Sequence, residues 1–253
     1  MSKLVGTVFV SFYLFFGSIS NNVKTTKGEF IVVPNGTIEL DHSVWQTLLE
    51  KYVNDVGDVN YKGFLAGLPA LDDYINYLAE NSPERDWPKN EKLAYYINLY
   101  NAATVKLILN NYPTKSIKDL KNPWGKSWIR TGDGLLSLGD IEHKILRKMN
   151  EPRIHFAINC ASFSCPKLSN KAFTASQMEK QLTEATKSFI QDANKNIISK
   201  QRLQLSNIFK WYKKDFTENG SVINYIQPYT PIKLDNKADI DYLKYDWHLN
   251  EAK

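Results

Sequence analysis

Cys160 and Cys165 are the only cysteines in 253 residues, and they stand five positions apart. They lie in the stretch Arg153-Ile-His155-Phe-Ala-Ile-Asn159-Cys160-Ala-Ser-Phe-Ser164-Cys165-Pro166, with a histidine five residues before the first of them. Three chemistries open from this arrangement: a thiolate nucleophile, a small disulfide loop, or part of a metal site. A nucleophilic thiol needs an adjacent base, and the base gains from a third group that orients it. His155 is the candidate base, Glu142 the candidate orienting group, and Cys160 and Cys165 compete as nucleophile. Pro166 suits the first position of a helical turn, whose amides would lower the pKa of Cys165. Cys160 would sit at the end of a strand. A disulfide would close a loop of a few residues and add about 2 kcal/mol. The metal reading collects His143, His155, Cys160 and Cys165, whose spacings match no usual zinc pattern. It ranks third, and no cofactor or metal is expected.

The elements that must position these residues follow from periodicity. Val44, Trp45, Leu48, Leu49 and Tyr52 recur at three and four, predicting an amphipathic helix from His42 onwards. A second helix is expected over Pro69 to Glu80 and a longer one over Pro88 to Asn110, with Pro113 beyond its end. From Leu93 to Leu109 this third helix is apolar on nearly all sides, as at the centre of a domain. Asn98, Asn101 and Thr104 form a narrow polar edge on it, either hydrogen-bonded to neighbouring backbone or facing a cleft. Asp133-Gly134 signals a hairpin turn after a short patch at Ile129. Ser137 with Asp140 is a capping-box pattern that opens a helix over 138–149. Within it, Leu138, Ile141, Ile145, Leu146 and Met149 define an apolar arc with Glu142 near its middle. A carboxylate aimed into a core costs several kcal/mol unless paired, so Glu142 needs a partner such as Arg153, His155 or a metal. A structural ion pair would meet that need equally well. Alternation of Ile154, Phe156 and Ile158 predicts a buried strand over 154–159. Thr174 with Gln177 forms a second box opening a helix to about Gln191. The fold class expected is α+β: a mostly helical single domain over 39–253 with a small β-sheet and a central buried helix near residues 90–110. Residues 21–38 form an extension with a strand-like patch at Phe30 to Val33.

Residues 1–20 read as an export signal: Lys3, an apolar run from Leu4 to Phe16, then small residues before Asn21. That run is too short to cross a bilayer core of roughly 30 Å, so no stable membrane span is expected after cleavage. The expected location is therefore periplasmic or extracellular, where a disulfide is permitted. Hydrophobic content of 43% and aromatic content of 13% are those of a globular chain. A net charge of +5, from 32 basic and 27 acidic residues spread along the sequence, offers no dense basic run for nucleic acid.

Five blocks, in order from about residue 42 to 250, resemble the domain-of-unknown-function family 547. Lys92-Leu-Ala-Tyr-Tyr-Ile-Asn98-Leu-Tyr100-Asn101-Ala102 is similar to its "FWINLYNA" block. The stretch from Leu136 to Arg147 resembles "LDDIEHxILR", and that from Pro152 to Pro166 resembles "DPRIHFALxCGAxSCP". Phe209 to Phe216 and Tyr245 to Asn250 look like its later signatures. Glu151 stands where the family usually has Asp, and Ala161 where it usually has Gly. The resemblance carries no settled activity. It implies that Asn98, Asn101, Glu142, His143, Arg147, His155, Cys160 and Cys165 occupy signature positions. The family's occurrence in proteins expected to be intracellular weighs against a purely disulfide role for the pair.

The leading expectation is an exported thiol-dependent hydrolase or acyltransferase, loosely like papain or transglutaminases, acting on peptide or amide bonds of the envelope. Here a cysteine attacks a carbonyl, His155 is the base, Glu142 orients it, and Asn98 or Asn101 donates to the oxyanion. The alternative is a non-catalytic binding or assembly module with a Cys160–Cys165 staple, whose partner is an envelope protein.

Overall fold

The computed structural model describes residues 30–32 and 38–252. The expected signal over 1–20 and most of the expected extension lie outside the described residues. The fold is α+β and mostly helical. Its elements in chain order are β1 (Phe30–Val32), β2 (Ile38–Leu40), α1 (Ser43–Tyr52), α2 (Tyr61–Phe64), α3 (Leu68–Glu80), α4 (Lys89–Leu109), β3 (Ile129–Thr131), β4 (Gly134–Leu136) and α5 (Met178–Gln191). They continue with β5 (Ile197–Ile198), β6 (Arg202–Leu205), α6 (Ile208–Trp211), α7 (Lys213–Phe216), α8 (Val222–Ile226) and β7 (Asp239–Tyr242).

Among the described residues the strands form three small sheets, not one. β1 and β2 pair antiparallel, as do β3 and β4, the latter across the Gly132-Asp133 turn. β6 pairs antiparallel with β5 and parallel with β7. A parallel pair needs a long crossover, and α6, α7 and α8 fall within it. α6 and α7, with Tyr212 between them, carry Trp211, Tyr212 and Asp215 to the site.

α4 is the central element. It starts after Pro88, and fifteen of its residues are buried. α3 turns its apolar face onto it through residues such as Leu71 and Leu78, and α1 packs on α3 through Trp45 and Leu49. The polar edge of α4 is a tether. Asn98 donates to the Phe173 carbonyl at 2.7 Å and accepts from the Phe173 N–H at 3.0 Å. Asn101 donates to the Ala157 carbonyl at 3.0 Å and accepts from the Asn159 N–H at 2.8 Å. Each amide thus satisfies two backbone groups that water cannot reach. Asn101→Ala is expected to cost about 2 kcal/mol by orphaning both, read as a lower urea midpoint; an unchanged midpoint would show that the tether carries no stability.

Four local expectations are corrected. The segment expected as a strand over 154–159 is a 3-10 turn over Pro152–Phe156, with Glu151 accepting from the Arg153 N–H and Pro152 in the first turn. Residues Ile154 to Asn159 are all buried, so alternation carried no information about an exposed face. The Ser137–Asp140 box forms, with reciprocal bonds at 2.9 and 3.0 Å, but the turns it opens are π over Asp140–Ile145 and 3-10 over Leu146–Met149. The Thr174–Gln177 box does not form; Gln181 instead caps the Thr174 N–H, and α5 begins at Met178. No helical turn follows Pro166, so Cys165 does not stand at a helix N-terminus.

A second apolar cluster, built on Phe156, Phe189, Phe209 and Phe216, joins α5 to the crossover helices. Trp247 packs against both clusters. No helix among the described residues is long and apolar enough to cross a membrane.

Candidate functional site

Cys160 and Cys165 are joined by a disulfide, with Cα atoms 6.3 Å apart. Ala161, inside the loop they close, has φ +60, the left-handed region that costs a residue with a Cβ about 1–2 kcal/mol. Its N–H is held by Asn159 Oδ1 at 2.7 Å. The chain's last described segment locks the loop from outside: Phe163 N–H donates to the His248 carbonyl at 2.7 Å, and Ser164 N–H to the Asp246 carbonyl at 3.1 Å. The Tyr245 hydroxyl donates to Cys165 Sγ at 3.2 Å.

The disulfide forms part of the wall of a cleft of about 340 Å³. The other walls are aromatic: Tyr100 from α4, Trp124 from the loop after it, Trp211 and Tyr212 from the crossover, and Tyr245 and Trp247 from the closing segment. Glu142 is 5% exposed and lines the same cleft. Tyr100 donates to its Oε2 at 3.3 Å, and the Tyr212 hydroxyl donates to its Oε1. Burial, and then the Glu142 charge, push both phenols well above their ordinary pKa, so they remain neutral donors.

His155 is 3% exposed. Its Nε2 lies 2.8 Å from Asp215 Oδ2, and its ring stacks on Tyr212 at 3.9 Å between centroids. Asp215 also receives two bonds from Arg147, from Nε at 2.7 Å and from Nη2 at 2.8 Å. Burial pushes the Asp215 carboxyl up, but the Arg147 and His155 hydrogen bonds outweigh it and hold the carboxyl well below the usual range. Burial lowers the His155 pKa against the opposing Asp215 bond, so the ring is neutral. An ionised carboxylate only accepts; Nε2 therefore carries the proton, and Nδ1 is the basic nitrogen.

The structure thus gathers Glu142, His143, His155, Cys160 and Cys165 around one cleft. Arg147 lies beside it, with its guanidinium 5.3 Å over the Tyr212 ring. Asp215, not Glu142, holds His155. Glu142 is met by phenols and not by Arg153, which pairs with Glu151 and Glu179. Asn98 and Asn101 spend their amides on backbone and offer nothing to an oxyanion. The two sulfurs are bonded to each other, so the metal reading loses its thiolates; among the described residues no group of three or more His, Cys, Asp or Glu is placed to hold a metal ion. A larger cavity of about 460 Å³ also borders the loop, but its aromatic lining is phenylalanine alone and none of its acids is buried. Asp215 was visible only inside a signature block, and its role was not, because its partner lies sixty positions earlier. Trp211, Tyr212, Tyr245 and Trp247 were visible only as signature residues.

Fold and cleft together define a small α+β domain with a disulfide-walled aromatic cleft over a buried acid. Residues 84–190 match the family described as "Protein of unknown function, DUF547". That match supports a DUF547 domain over the middle of the chain. The matched segment supplies Tyr100, Glu142, His155 and both cysteines, whereas Trp211, Tyr212, Asp215, Tyr245 and Trp247 come from outside it. No curated protein and no solved structure matches the chain.

Proposed function

We propose that the chain is an exported, non-catalytic binding module of the cell envelope, whose aromatic cleft captures a ligand. The observation that carries this reading is the Cys160–Cys165 disulfide in the cleft wall. With both sulfurs bonded there is no thiolate to attack a carbonyl, while the recognition surface of inclined rings around a few polar groups is complete. A disulfide also suits the oxidising space to which residues 1–20 would direct the chain.

One observation favours a second reading, a thiol hydrolase or acyltransferase that works only when reduced. His155, oriented by Asp215, lines the same cleft as the sulfurs, and a freed thiol there would have a neutral imidazole as its base.

Intact mass after alkylation of the native protein, without and with a dithiol reductant, is expected to show no adduct and then two. Amide and peptide substrates are expected to remain intact in both states. Turnover that appears on reduction and vanishes in Cys160→Ala or Cys165→Ala would transfer the assignment to the enzyme. The double variant Cys160→Ala/Cys165→Ala is expected to lose about 2 kcal/mol of stability, read as a lower urea midpoint.

A further inference from the structure

The cleft pairs a buried negative charge with rings set at angles to one another. Trp124 and Trp247 meet at 69° with centroids 5.8 Å apart, Tyr245 and Trp247 at 49° and 4.5 Å, and Trp211 and Tyr245 at 50° and 4.8 Å. Trp211 and Trp247 lie more nearly parallel, at 26° and 5.8 Å, so the rings make a corner with one near-flat side. Trp211 is 47% exposed and stands at the open edge.

Charge at the floor is unbalanced. Glu142 and Asp215 are two carboxylates with one guanidinium between them, and Arg147 gives both of its short bonds to Asp215. The donors on Glu142 are neutral phenols. His143 Nδ1 is 3.8 Å away, on a side chain that is half exposed. A buried carboxylate without a full cationic partner is costly, and the faces of the surrounding rings are electron-rich. One ring already attracts an ammonium on its outer side: Lys118 Nζ lies 5.1 Å from the Trp247 centroid.

We propose that the ligand of this cleft carries an organic ammonium group. The rings enclose its methyl or methylene groups, and Glu142 supplies the counter-charge. The inference rests on the binding-module reading and narrows it to one ligand chemistry. The buried Glu142 separates the cleft from one made for a neutral sugar, which would need no anion beneath the rings.

Binding is measured by quenching of tryptophan fluorescence and by calorimetry on the intact disulfide-bonded protein. The probes are choline, its neutral isostere 3,3-dimethylbutan-1-ol, the amide of Nα-acetyl-lysine, and a chitin trisaccharide. Choline or the lysine amide is expected to bind at least about thirtyfold tighter than the neutral alcohol. Whichever of the two binds tighter distinguishes a methylated small molecule from a lysyl side chain. Glu142→Gln, which keeps the shape, is expected to weaken that binding by about thirtyfold or more. Trp211→Ala, at the solvent edge, is expected to weaken it without lowering the melting temperature. Equal affinity for the alcohol, or no effect of Glu142→Gln, overturns the ammonium inference. Trp211-dependent binding of the trisaccharide alone also overturns it and leaves the binding module standing. Silence from all four probes removes the ammonium inference, while reduction-dependent turnover separately decides the fate of the module reading.

Discussion

Asp215→Ala is expected to lower folding stability by about 3–5 kcal/mol, because it strands the buried polar groups of two partners at once. Asp215 is itself 19% exposed on its side chain, and it accepts from His155 and, at two points, from Arg147. Without it, a partly buried guanidinium loses both of its short bonds and the buried Nε2–H of His155 has no acceptor. The sign of the pH dependence follows. The folded carboxyl is held below its usual range, so its contribution is fully present above the unfolded value of about 3.9 and is lost as pH falls further. Urea unfolding near neutral pH checks the prediction, with Asp215→Asn as a control that keeps volume and one acceptor and should cost less. A loss under ~1 kcal/mol, the value of an exposed pair, would mean that Asp215 holds neither partner in place.

The second large effect is acid instability seated far from the cleft. His42 is 5% exposed at the start of α1, with Nδ1 bonded to the Tyr74 hydroxyl at 2.7 Å. Its Nε2 has no hydrogen-bond partner among the described residues. Burial lowers its pKa to about 4, against a small opposing effect of Asp41. The unfolded chain therefore takes up a proton on this ring before the folded chain does. Stability is full above about pH 6.5 and falls as pH approaches 4, by about 3 kcal/mol in all. Urea midpoints near neutral pH and near pH 4.5 should differ strongly in the wild type and much less in His42→Gln. His155, whose pKa burial also lowers, leaves a residual slope of the same sign. Equal pH sensitivity in the two proteins would acquit His42.

The helical half of the molecule was readable because its cues are local. Trp45, Leu48, Leu49 and Tyr52 mark one face of α1, and prolines flank α3 and α4, so their bounds fell within a residue or two of the structure. The buried position of Glu142 was also legible, since a carboxylate amid Ile141, Ile145 and Leu146 stands out against its neighbours. Its partner was not, because hydroxyls of Tyr100 and Tyr212 carry no charge signature in a sequence. The 154–159 segment failed for another reason: a stretch buried on every side shows no period. Asp215 sits in a Lys-Lys-Asp run that resembles solvated surface. Only the third dimension brings His155 and Arg147 to it.

The cleft sits on the seam between the two apolar clusters, with Tyr100 rooted in the first, Tyr245 in the second, and Trp247 touching both. α5 bridges the same seam, with Met178 and Leu182 in the first cluster and Phe189 and Ile190 in the second. A guest seated there is held by both halves and must be released before they separate. Its binding free energy would therefore be added to the joint between the clusters, and occupancy would be felt as rigidity in residues that never touch it.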